Sequence, residues 1–192
     1  MPTRRSARQA VSLSQIRLLV LDVDGVMTDG RLWFGPQGEQ QKAFHVRDGH
    51  GIKAVRAAGI AVAVISGRRS SAVQRRCREL GIDHLIQGAE DKGAQFGKLI
   101  DSLGLSARQC ACIGDDAPDV PLLSRAGLAV AVADAHPSAL AVAHRRTHTR
   151  GGLGAVREVC DWLLAARGRD APRRSLRTRS RLRDLPRPAP ER

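Results

Sequence analysis

A chain of 192 residues with 42% apolar content can bury one core of ordinary size, which excludes a fully disordered protein. No apolar run approaches the roughly 20 residues of a membrane span, and the N-terminus lacks the apolar stretch of a secretory leader, so neither a membrane protein nor a secreted disulfide scaffold is expected. The net charge of +13 sits mostly in the ends: 167–192 hold ten Arg against Asp170, Asp184 and Glu191, Arg4, Arg5, Arg8 and Arg17 add four more charges, and the body 18–166 is left at +2.

After a basic extension at 1–15, residues 16–23 form a β-branched and Leu-rich run that ends in Asp22-Val23-Asp24-Gly25. Near-continuous apolar runs of this kind belong to strands covered on both faces, as in a parallel sheet. Residues 29–46 (DGRLWFGPQGEQQKAFHV) break the pattern. Gly-Pro-Gln-Gly lies between flanks carrying Trp33, Phe34 and Phe44, which reads as a β-hairpin with a longer loop. Its aromatics are costly to leave in water, so something is expected to cover them. A helix is expected over 51–58, with Asp48 as N-cap and Gly59 as its stop.

The runs 61–65, 85–87, 109–113 and 128–132 read as further strands. Residues 70–80, 92–103, 118–126, 137–143 and 153–166 read as helices, the last stopped at Gly168. Glycine-ended helices followed at once by apolar runs are the sequence form of a βα alternation. The predicted fold is therefore α/β, one domain over 16–166 with a parallel sheet flanked by helices and a hairpin inserted after the first strand.

Cys77, Cys110, Cys112 and Cys160 fit neither a CxxC pair nor a zinc ribbon. They read as buried free thiols, which suit a reducing cytoplasm. Residues 167–192, rich in Arg and Pro, read as a disordered tail. Such a tail attracts anionic partners, but 3% aromatic content with no Tyr leaves few platforms for stacking bases and argues against nucleic acid.

In an open α/β sheet, ligands sit beyond the carboxyl ends of the strands. The first strand delivers Asp22 and Asp24 there, and alternation sends both side chains the same way. The second delivers Ser66, Gly67 and Arg68, the third leads to Asp91-Lys92, and the fourth delivers Asp115, Asp116 and, one turn on, Asp119. So many carboxylates would repel one another without a divalent cation and a lysine among them. Oxygen ligation with open positions suits Mg²⁺ rather than zinc. One carboxylate can attack phosphorus to give an aspartyl-phosphate, and a second can protonate the leaving oxygen and then deprotonate water. The cation, the Ser66 hydroxyl and Lys92 offset charge on the phosphoryl oxygens.

D-V-D-G at 22–25, I-S-G-R at 65–68, D-K-G at 91–93 and G-D-D-x-x-D at 114–119 resemble the four ordered motifs of haloacid dehalogenase-type phosphatases. The longer strings L-D-V-D-G-V-x-T-D-G, F-x-V-R-D-G-x-G-I, R-C-x-x-L-G-I, A-V-A-D-A-H-P and G-A-V-R-E-V-C-D are similar to the members of that family that act on 3-deoxy-D-manno-octulosonate (KDO) 8-phosphate. This resemblance runs over about 16–166 and implies a Rossmann-like fold with no large cap domain. It implies that Asp22 is the nucleophile, that Asp24 is the acid/base, and that Ser66 and Lys92 grip the phosphoryl group. It implies Mg²⁺ held by Asp22, the main-chain carbonyl of Asp24, and Asp115. The sugar-acid contacts fall on His45, Val46, Arg47, Asp48, Gly49, Lys53, Arg68 and Arg76, with Asp24 and Lys92 also touching the substrate. A cytoplasmic homotetramer is implied, its hairpins packed together and its subunits closing each other's sites, releasing KDO for lipopolysaccharide. Two alternatives stay open: the same chemistry on a nine-carbon sialic-acid-type 9-phosphate, and a catalytically silent domain that binds a partner.

Overall fold

All four residues of β1 (Leu18–Leu21) are buried, as a strand between two layers of helix must be. The computed structural model describes residues 11–36 and 38–170, so the tail from 171 on and the first ten residues of the basic extension lie outside the described residues. After β1 come β2 (Trp33–Gly35), β3 (Gly38–Gln41), α1 (Val46–Ala57), β4 (Ala61–Ser66), α2 (Ser71–Leu80), β5 (His84–Gln87) and α3 (Lys92–Ser102). The chain continues through β6 (Cys110–Gly114), α4 (Val120–Leu123), β7 (Leu128–Ala131), α5 (Pro137–Val142), β8 (Arg145–Arg146) and α6 (Ala155–Asp170).

Six strands form a sheet in the order β5-β4-β1-β6-β7-β8, every pairing parallel, and β2-β3 is a separate antiparallel hairpin. Leu21 stands opposite both Val64 and Ile113, so the carboxyl ends of β1, β4 and β6 finish nearly level. That register brings the segments after them to one edge. The architecture is the α/β parallel sheet that the sequence predicts, and the hairpin insertion is small.

Several boundaries differ from the sequence reading. The first helix starts at Val46, not at 51, and the N-cap position is taken by His45. Asp48 lies inside the first turn and is buried, with its Oδ1 accepting from the Arg157 backbone N–H at 2.7 Å. It therefore satisfies the open N-terminus of α6 rather than that of its own helix. Gly51 lies inside α1. A Cβ there would sit 2.9 Å from Arg157 Cδ and 3.1 Å from Cys160 Cβ, so its bareness is what lets α1 and α6 approach.

The last helix runs through Gly168. Arg167 holds its end down by donating to the carbonyls of Ala58 and Ile16, and these contacts outweigh the weak glycine signal. The expected helix over 118–126 is instead a 3₁₀ turn, Ala117–Asp119, followed by the single turn of α4. Strand β8 went unread because two residues carry no alternation. Its Arg145 stacks over Trp162 at 5.6 Å, and Arg146 donates to the Ala133 carbonyl. A charged edge of this kind resists pairing with another sheet.

The three hairpin aromatics part company. Trp33 and Phe34 are 59% and 65% exposed, but Phe44 packs against the core under the Arg76 guanidinium. All four cysteines are buried and free. Burial pushes the Cys77 and Cys110 thiols up to about 11 and Cys160 to about 12, so they stay protonated at neutral pH. Among the described residues, no helix is long and apolar enough to cross a membrane.

Overpacking at the α1–α6 crossing has a measurable consequence. Gly51→Val is expected to cost about 1–3 kcal/mol, or roughly 2–12 °C in melting temperature. A Cβ at Gly168 meets nothing within 4 Å. Gly168→Ala is therefore expected to leave stability unchanged or raise it by up to about 1 kcal/mol. Thermal melts of both variants check the contrast.

Candidate active site

The backbone N–H of Asp22 donates to the Ile113 carbonyl at 3.1 Å and carries the β1 ladder one residue further. The chain then folds back on itself, with Val23 O accepting from the N–H groups of Val26, Met27 and Thr28. Gly25 turns this corner at φ +88°, and a Cβ there would lie 2.0 Å from Asp115 Oδ2. Only glycine tolerates both the dihedral and the carboxylate.

Ser66 ends β4, buried, and its Oγ accepts from Arg68 N–H at 3.3 Å. Lys92 opens α3 behind Asp91, whose side chain caps the helix through Ala94 N–H. The Lys92 Nζ stands 2.7 Å from Asp22 Oδ1 and 2.6 Å from Asp119 Oδ1. The other oxygen of Asp119 accepts from the N–H groups of Asp115 and Asp116, at 2.9 and 3.3 Å. Asp24 pairs through Oδ1 with Lys42, and Arg68 Nε lies 3.9 Å from its Oδ2.

Oxygens of Asp22, Asp115 and Asp119 lie within 4.8 Å of one another. Three carboxylates crowd about one ammonium, and their protonation registers the strain. Burial, with Asp119 adding to it, pushes the Asp22 carboxyl up to about 7 against the pull of Lys92. Burial, then Asp22 and Asp119, pushes Asp115 up to about 8. Burial alone would lower the Lys92 ammonium, but Asp22 and Asp119 outweigh it and hold it above its ordinary value. A small divalent cation supplies the missing positive charge, and an all-oxygen donor set is the kind Mg²⁺ takes. The residues present therefore fit that ion.

Asp22, Asp24, Ser66, Arg68, Lys92 and Asp115 together line a cleft of about 210 Å³ at the strand ends. The remaining predicted contacts lie elsewhere in the single chain. His45, Val46 and Arg47 form the entry to α1, the last two exposed. Asp48 is turned toward α6. Gly49 faces Arg76, whose guanidinium binds Glu79 at 2.9 and 2.8 Å. Lys53 lines a separate concavity of about 450 Å³ with Arg56 and His84.

Two participants carried no role in the sequence reading. Asp119 was visible in its motif, but spacing does not reveal that it bonds Lys92. Lys42 is a lone lysine in the hairpin, and its one signal is that it alternates with the inward-facing Phe44.

Two aspartates two apart, a hydroxyl, a lysine and an acidic pair, each after its own parallel strand, define a haloacid dehalogenase-like hydrolase. That family's sequence profile matches residues 84–154. The chain is 50% identical over 154 residues to the 3-deoxy-D-manno-octulosonate 8-phosphate phosphatase of Salmonella typhi, covering 80% of this chain and 82% of the relative. The solved phosphatase of that name from Yersinia pestis aligns with a TM-score of 0.80 at 48% identity, over 84% of this chain and 88% of that one. The Moraxella catarrhalis phosphatase, in complex with magnesium ion, phosphate ion and KDO, gives a TM-score of 0.80 at 41% identity, over 82% and 90%. The chain belongs to the 3-deoxy-D-manno-octulosonate 8-phosphate phosphatase family.

The raised carboxyls fix the sign of a pH effect. In the metal-free protein, Asp22 and Asp115 bind protons more tightly folded than unfolded. The stability this gives is present near pH 4 and is lost as pH rises through 7 to 8. Mg²⁺ competes with those protons, so it is expected to stabilise more at pH 8 than at pH 5. At 100 times its dissociation constant it adds about 2.7 kcal/mol, or roughly 5–10 °C. Melting curves of metal-stripped protein with added Mg²⁺ check this, and an equal gain at both pH values contradicts it.

Proposed function

We propose that the protein is a Mg²⁺-dependent phosphatase that hydrolyses KDO 8-phosphate to KDO and phosphate through an aspartyl-phosphate on Asp22. The observation that carries the reading is the cleft that gathers Asp22, Asp24, Ser66, Lys92 and Asp115 in a chain half identical to enzymes of that name. A KDO product supports a role in lipopolysaccharide biosynthesis. Four buried free thiols suit a cytoplasmic setting.

Asp22 attacks phosphorus, its oxygen forming the new bond while the bond from phosphorus to the sugar oxygen breaks. Asp24 gives its proton to that leaving oxygen. It then takes a proton from water, whose oxygen attacks the phosphorus. The bond to Asp22 breaks, phosphate leaves and both carboxylates return to their starting states. Lys92 and the Ser66 hydroxyl donate to the phosphoryl oxygens throughout. Asp119 keeps Lys92 in place from one oxygen and the 115–116 backbone from the other. Mg²⁺, held by Asp22, the Asp24 carbonyl and Asp115, supplies positive charge beside the phosphoryl group when bound.

The sugar acid brings a carboxylate, for which Arg68 stands half exposed at the cleft rim. His45, Val46, Arg47 and Lys53 lie outside the cleft of their own chain, which suits contacts made across a subunit boundary to a neighbour's substrate. Trp33, Phe34 and the 81% exposed Val46 leave apolar surface uncovered. Surface of that kind marks an interface, and the assembly proposed is a homotetramer closed by symmetry.

Phosphate release from a panel of sugar-acid phosphates, with and without Mg²⁺, tests the substrate and the cofactor together. Asp22→Asn is expected to fold normally and to lose roughly 10³-fold or more in kcat; a variant that keeps more than a few per cent of wild-type turnover contradicts the nucleophile.

For the assembly, sedimentation velocity of Phe34→Asp is expected to show a smaller species. Its kcat/KM is expected to fall roughly tenfold or more, because the site loses its neighbour's contacts. A Phe34→Asp variant that stays tetrameric and fully active removes the hairpin from the interface.

A further inference from the structure

Each aspartate of D-V-D-G has its own lysine. Lys92 is committed to Asp22 and Asp119. Asp24 is held by Lys42, which directly follows β3 and lies in none of the four motifs. Residues 42–44 follow the strand and alternate in burial. Ala43 is exposed, while Lys42 and Phe44 turn inward, Phe44 against the core. The Lys42 side chain is fully enclosed. An ammonium removed from water needs a counter-charge, and Asp24 Oδ1 provides it.

The two cations around Asp24 differ in exposure. Arg68 is half exposed at the rim, its Nε 3.9 Å from Oδ2. The Lys42 side chain is shut in. A carboxylate gripped by a charge-assisted hydrogen bond on one oxygen loses much of its rotational freedom. With Oδ1 taken by Lys42, Oδ2 is the oxygen on the side of Arg68, and Asp24 and Arg68 both line the cleft.

We propose that Lys42 is a positioning residue for Asp24, fixing its carboxylate so that Oδ2 faces the leaving oxygen of the substrate. The inference rests on the reading of Asp24 as acid/base. Lys42 itself transfers no proton. The proton moves from Oδ2 to the sugar oxygen as the phosphorus–oxygen bond breaks, and one returns to Oδ2 from water in the second step. The hairpin is thereby part of the chemistry as well as of the subunit contact, since whatever moves β3 moves Lys42.

The test compares KDO 8-phosphate with p-nitrophenyl phosphate, using the full chain with Mg²⁺. A sugar alkoxide needs a proton to leave, whereas nitrophenolate leaves without one. Lys42→Met is expected to lower kcat on KDO 8-phosphate by roughly 10²-fold, with KM changed less than about threefold. On p-nitrophenyl phosphate its kcat should fall by less than about fivefold, because the step that Asp24 assists is not needed there. Lys42→Arg, which keeps the charge, should recover about tenfold of the loss. Equal losses on both substrates, or no loss on either, overturn the proposal. If Lys42→Met does not fold, the same comparison with Lys42→Gln decides it by the same two outcomes. Asp24→Asn separates the two levels of the argument. No substrate-selective loss in Asp24→Asn overturns the acid/base reading and this inference with it. A selective loss in Asp24→Asn without one at position 42 overturns this inference alone.

Discussion

The Lys92 ammonium lies between Asp22 and Asp119, and the rest of the strand-end edge is arranged around that contact. A lysine so placed does two things at once. It lets buried carboxylates share a small space, and it leaves a donor beside the Asp22 oxygen proposed to attack phosphorus. It does not balance the charge, as the raised carboxyls of Asp22 and Asp115 show. The site is thus built with a deficit of positive charge, and a deficit of that size is what binds a divalent cation and then a phosphoryl group. Stability is given up locally to hold the residues of the chemistry together.

The sheet makes the contact possible. Parallel pairing of β1 with both β4 and β6, in register at Leu21, sends three chain segments over one edge at the same height. Two glycines then remove the side chains that would keep the segments apart. Gly25 clears room for Asp115, and a Cβ at Gly114 would stand 2.5 Å from Asp119 Cβ. Behind the edge, Asp48 and Gly51 lock α1 to α6. The chain that leads from the hairpin to α1 is thereby anchored at its far end. At its near end Lys42 reaches Asp24.

Most of the sheet and the gathering of carboxylates at its edge were legible in the sequence, and for a physical reason. Strands buried on both faces need unbroken apolar runs, and the polar residues that interrupt them at the carboxyl ends, such as Asp22-Val23-Asp24 and Ser66-Gly67, stand out. What was not legible depended on partners distant in the chain. Asp48 has the composition of a cap, but the helix it caps begins more than 100 residues later. Gly168 has the composition of a stop, but Arg167 reaches back to Ile16 and Ala58. Phe44 and Phe34 are alike in sequence, yet one packs on the core and the other faces solvent. Of the residues expected to read the sugar acid, Arg68 lines the cleft, while the others are spread over α1, its N-cap and α2, where spacing in the sequence does not reveal what they face.

The central claim is that phosphorus is transferred twice, first to Asp22 and then to water. The stereochemical course at phosphorus measures this directly, using KDO 8-phosphate made chiral at phosphorus with sulfur and heavy oxygen. Each in-line displacement inverts the configuration, so two in succession return it. The account predicts net retention in the released thiophosphate. Net inversion would show a single direct attack by water and would contradict the role given to Asp22.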